Sequence, residues 1–142
     1  MLKRLSEMVA CVLEVPVPRI EEVDELNTKT QAGAMDIDNN VLYLRKSASQ
    51  PDKMFAIAHE LRHVWQDAHD ACGLSEHIAA GTVDTITYNR QPSEIDANAF
   101  GVIVMSDVAR LKPMFDGFDE ETKRMIFARA DEIAQEMEKA QG

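Results

Sequence analysis

Two stretches of this sequence are apolar around most of a helical circumference, and a chain that holds two such helices has to bury them against each other. The first follows a polar break over residues 47–52, where Pro51 suits the first turn of a helix capped by Ser49 or Gln50. It carries Met54, Phe55, Ile57, Ala58, Leu61, Val64 and Trp65, and is expected to run to about Ala71, ahead of Gly73. The second opens at Pro92-Ser93-Glu94-Ile95-Asp96, with Ser93 expected as the cap and Asp96 standing where a capping box has Glu or Gln. Ile95, Ala97, Phe100, Val102, Ile103, Val104 and Met105 make it equally apolar, and Lys112 to Gly117 ends it.

The remaining segments supply a small sheet and two outer helices. Leu2, Leu5, Val9 and Val12 form one stripe of an N-terminal helix. It stops near Glu14, because Pro16 and Pro18 bias their predecessors away from helical backbone. Residues 19–26 read as a short strand, and the runs Ala32 to Asp38 and Val41 to Leu44, joined by Asn39-Asn40, read as a hairpin. Residues 72–91 form a long connection with an extended piece at Thr85 to Tyr88; in a compact domain such a connection is usually functional or mobile. Asp119 starts a terminal helix with Ile126, Ala130, Ile133 and Met137 on one face. The chain has 142 residues, 45% of them hydrophobic and 28% charged. It is therefore read as one domain over 1–142, able to bury ~68–70% of its unfolded surface. The expected class is α+β, a small twisted sheet of about two to four strands packed on about four helices.

Charge and cysteine content exclude several functions. With 15 Lys and Arg against 25 Asp and Glu, the net charge is -10, so a broad basic footprint for nucleic acid is missing. No window approaches the ~20 apolar residues of a membrane span, and no membrane partner is expected. Glu7 and Glu14 interrupt any apolar core of a signal peptide after Lys3-Arg4, so the expected location is cytoplasmic. Cys11 and Cys72 lie far apart without CxxC spacing and read as two reduced, structural thiols.

Inside the first apolar helix stands His59-Glu60-Leu61-Arg62-His63, the HExxH pattern. Four helical residues advance about 400°, which leaves the two imidazoles about 40° apart on one face. Two nitrogen ligands for a zinc ion therefore converge, one ion per chain. Glu60 stands at the adjacent edge of that face, where a carboxylate serves as general base to a water activated by the metal. A catalytic zinc site needs a third protein ligand, and Glu94, in the first turn of the second apolar helix, is the choice. Asn98, one turn on, shares its face and is expected to orient a ligand from behind.

Taken together these residues resemble the zinc metallopeptidases of the ImmA/IrrE type, within the zincin-like group whose third ligand is Glu. The likeness rests on the HExxH helix and on Glu94-Ile95-Asp96-Ala97-Asn98-Ala99-Phe100, close to that family's Glu-x-x-Ala-Asn signature. It covers roughly residues 30 to 105. It implies a minimal zincin domain in which the hairpin ending in Val41 to Leu44 lies at the substrate side. The chain departs from the family pattern in two places: Arg62 replaces the common Gly of the motif helix, and Val102-Ile103-Val104-Met105-Ser106 replaces the usual ending of the second.

His69 completes the spacing of a different zinc motif, HExxHxxGxxH, but position 66 holds Gln where that motif breaks the helix with Gly. In a continuous helix His69 is rotated about 240° from His63 and cannot share its metal. His77 reads as a loop residue. Tyr88 and Arg90 precede the second helix and are candidates to stabilise an oxyanion in the cleft. Trp65, Met35 and Tyr43 read as packing residues. The expected function is hydrolysis of peptide bonds in a flexible segment of a protein, held by strand addition at the sheet edge. The resemblance implies a regulatory protein as substrate. The alternative is a zinc-containing binding or regulatory module with little peptidase activity.

Overall fold

The computed structural model describes residues 1–28 and 31–141. Helix α1, Leu2–Leu13, precedes strands β1, Arg19–Val23, β2, Gly33–Asp36, and β3, Val41–Arg45. Helix α2, Gln50–His69, follows, then a single 3-10 turn at Leu74–Glu76 and the short helix α3, Thr85–Asn89. Helix α4, Pro92–Val104, runs into a π-helical turn over Met105–Ala109, and α5, Glu120–Gln141, closes the described chain. The architecture is α+β, with a three-stranded mixed sheet against the helices.

The hairpin forms as its turn residues require. Asn40 takes a left-handed φ of 55°, and the Asp36 carboxylate accepts from the Asn39 backbone and side chain. β2 and β3 then pair antiparallel, Ala34 opposite Tyr43. The segment read as a lone short strand adds to the other side of β3, parallel, with Ile20 opposite Leu42. β3 is thus central, and its Leu42 and Leu44 are wholly buried against the helices.

α2 and α4 pack together at the middle of the fold, as two helices without a polar face must. Ile57, Ala58 and Leu61 from α2 and Ala97, Ala99 and Phe100 from α4 are buried to 1% or less. Gly101 lets the helices close: a Cβ there would stand 2.4 Å from Phe55 Cε2, inside van der Waals contact. α1 lays Leu5, Val9, Ala10 and Leu13 on this pair, and α5 contributes Ile126, Ala130 and Ile133.

Several local expectations are corrected. On α1, Leu13 and not Val12 completes the buried stripe, Val12 being 54% exposed. α2 stops at His69, earlier than expected, because Asp70 takes left-handed backbone at φ 49°. Thr85 to Tyr88 is helical, not extended: the Asp84 carboxylate accepts from Thr87 N and caps α3, which outweighs the β preference of its threonines and isoleucine. The N-cap of α4 is Gln91, with Pro92 at the first helical position, so Ser93 is not the cap. Asp96 does not close a capping box; it is buried and binds arginines.

Candidate metal centre

The spacing of His59 and His63 places both imidazoles on the face of α2 that meets the first turn of α4, where Glu94 is buried at 3% exposure. One ligand atom from each of the three residues lies within 4.8 Å of the others. His63 Nε2 is 2.8 Å from Glu94 Oε2 and 3.2 Å from His59 Nε2, and His59 Nε2 is 3.4 Å from Glu94 Oε1. Glu94 Oε2 is nevertheless buried without an aligned hydrogen bond, and so is His59 Nδ1. A buried polar atom without a partner costs about 1–3 kcal/mol, and Glu94 Oε2 is such an atom inside the cluster. Two imidazole nitrogens and a carboxylate in that arrangement fit a metal ion that prefers nitrogen and oxygen donors.

The electrostatics follow from this crowding. Burial alone would raise the Glu94 carboxyl, but His59, by charge and hydrogen bonding, and then His63 hold it well below the usual carboxylate range. Burial alone would lower His59; the Glu94 carboxylate reverses the sign and pushes it up to about 9. Glu60 goes the other way. Burial raises its carboxyl, only partly opposed by His59 and His63.

Of the other residues singled out in the sequence, Tyr88 lies at this centre and Arg90 does not. Burial, and then the carboxylates of Glu94 and Glu60, push the Tyr88 phenol far above its ordinary value, so it stays protonated and can donate. Arg90 is turned to the start of α5, its Nη2 2.7 Å from Asp119 Oδ2 and its Nε donating to Thr122 Oγ1. The α5 N-terminus thus takes the guanidinium that was expected in the cleft. Asn98 is buried beside His59, among the groups that favour its charged form, yet His59 Nδ1 keeps no aligned partner. His69 is exposed, stacks on Trp65 at 4.7 Å and engages the Trp65 carbonyl through Nδ1. Cys11 and Cys72 are both free.

Two residues reach the centre that the sequence did not single out for it. His77, from the long connection, sets Nδ1 2.8 Å from Ser93 Oγ and its ring 5.7 Å from those of His63 and Tyr88. Gln66, one helical turn beyond His63, is fully buried and places its Oε1 2.8 Å from His63 Nδ1. Its i+3 spacing from His63 was the available signal. Arg62 is buried as well, over the Trp65 ring at 3.7 Å and paired with Asp96 at 2.7 and 3.1 Å.

The model of the family described as "Putative metallopeptidase family (DUF6782)" matches residues 9–139. No curated protein and no solved structure matches the chain.

Proposed function

The chain belongs to this metallopeptidase family, and from that premise we propose that it hydrolyses peptide bonds with a single zinc ion held by His59, His63 and Glu94. The observation that carries the reading is the convergence of these three donors, buried Glu94 and the half-buried His59 and His63, with Glu94 Oε2 unpartnered among them. When bound, the metal supplies Lewis-acid chemistry, lowering the pKa of a water toward about 7 and polarising a carbonyl oxygen.

This chain's own residues supply the rest. Glu60, held high by burial, takes a proton on its carboxylate as water attacks and returns it to the leaving amine. Tyr88, kept as a neutral phenol, donates to the oxygen on which negative charge develops. β2 pairs only with β3 among the described strands, so its outer edge is free for an extended substrate. β2 itself packs on α2, since a Cβ on Gly33 would stand 2.9 Å from Ala56 Cβ, one turn before Glu60. The substrate class is therefore a flexible protein segment able to lie as a strand. The ImmA/IrrE likeness of the two helices supports the same reading and points to a regulatory protein as substrate.

The test is an untargeted cleavage screen with the zinc-loaded chain on proteome-derived peptides, read by mass spectrometry. New termini should appear, vanish when the metal is chelated, and return when zinc is added back. Partners captured intact by the zinc-loaded chain, with no new termini, would refute hydrolysis.

A further inference from the structure

The polar groups buried between α2 and α4 form a chain of hydrogen bonds that ends on His63. Gln66 Nε2 donates to the Ser93 carbonyl and to Asp96 Oδ2, both at 2.9 Å. Each of these oxygens is an acceptor only. The Ser93 group is a backbone carbonyl. Asp96 is a carboxylate gripped by two guanidinium groups, those of Arg62 and Arg129, toward which its oxygens can only accept. Arg62 approaches at 2.7 and 3.1 Å and Arg129 Nε at 2.9 Å. The Gln66 amide nitrogen must therefore face α4, and its oxygen must face His63 Nδ1. An amide oxygen cannot donate, so Nδ1 of His63 carries the hydrogen. In the neutral ring, the lone pair then sits on Nε2, the atom turned to Glu94 and His59.

We propose that Gln66 is a positioning residue of the metal centre: with its amide fixed by Asp96 and the Ser93 carbonyl, it holds His63 as the Nδ1–H tautomer and aims the Nε2 lone pair at the ion. The proposal rests on the zinc reading above. It makes the two histidines of the motif unequal, since His59 Nδ1 has no aligned hydrogen-bond partner and its ring packs against that of Phe55 at 5.9 Å. It also explains a buried Arg at position 62. Arg62 from α2 and Arg129 from α5 fix the Asp96 carboxylate, and that carboxylate fixes the Gln66 amide. The C-terminal helix is in this way tied to the metal centre through three side chains.

The experiment uses the full chain, nitrogen-15 labelled at histidine, with Zn2+ alone as the probe. Affinity is read by competition with a chromophoric chelator, and the His63 Nδ1 proton by NMR. In the zinc-loaded wild type that proton should be downfield and slow to exchange with water. Gln66→Leu should weaken zinc binding by about 10–100-fold, the usual effect of losing an outer hydrogen bond to a ligating histidine, and should abolish the protected proton. The double variant Gln66→Glu with Asp96→Asn keeps an acceptor toward His63 Nδ1 and reverses only the bond to position 96, leaving the Ser93 carbonyl without its donor, and should recover the protected proton and part of the affinity lost in Gln66→Leu. A merely space-filling Gln66 would leave the Nδ1 proton unmoved by substitution. Wild type that fails to bind zinc overturns the metal reading itself. Wild type that binds zinc, with a Gln66→Leu variant equal to it in affinity, overturns the positioning role alone. If Gln66→Leu does not fold, the wild-type resonance decides: a protected Nδ1 proton upholds the proposal and a freely exchanging one refutes it.

Discussion

Glu60→Gln should retain the fold and the zinc ion and lose about 10²–10⁴-fold in turnover, the range that a positioned general base contributes. The expectation follows from placement. Glu60 follows His59 on the motif helix, close enough that His59, His63 and Glu94 all act on its carboxyl, while the cluster of converging donor atoms comprises the other three residues. An amide of the same shape preserves the packing of α2 but cannot accept the proton of the attacking water. The check is paired: metal content by elemental analysis and cleavage of a peptide found in the screen. A Gln variant that cleaves near the wild-type rate contradicts the role, and one that loses the metal makes Glu60 a ligand.

Glu94→Ala should weaken zinc binding by more than ~100-fold, beyond what losing an outer hydrogen-bond partner costs, while His69→Ala should leave it nearly unchanged. Glu94 stands 2.8 Å from His63 Nε2 and 3.4 Å from His59 Nε2, so its removal deletes one of three donors. His69 lies on an exposed face of the same helix, stacked on Trp65, and α2 is unbroken between Gln50 and His69. Its imidazole has no path to the centre without melting that turn. Competition titration of the two variants side by side gives the ranking, and the reverse order would place the third ligand on α2.

The parts of this centre that were legible in the sequence are those fixed by local periodicity. His59 and His63 share a face by helical geometry alone, and the apolar content of α2 and α4 required them to pack together, which brought Glu94 near. Gln66 was opaque, because its meaning lies in Asp96 and the Ser93 carbonyl, which belong to another helix. Asp96 was misread for the same reason: its spacing within α4 mimics a cap, whereas the arginines that claim it come from α2 and α5. Arg90 had the right neighbourhood in the chain and the wrong direction, taken by Asp119 and Thr122 at the start of α5. The helix at Thr85 was hidden behind β-branched residues, which one aspartate cap outweighed. The hairpin was readable from its turn, but the parallel addition of β1 to β3 depends on tertiary packing that no local pattern encodes.

Metal analysis of the purified full chain tests the centre most directly. Protein prepared without chelator, or stripped and reconstituted with zinc, should hold one zinc per chain, since the described residues present a single cluster of converging donors. Binding should weaken from pH 7.5 to 5, because His59 and His63 bind as neutral rings and protons compete for the same nitrogens. A chain that takes up no zinc, or binds it equally well across that pH range, would contradict a centre built on two histidines and Glu94.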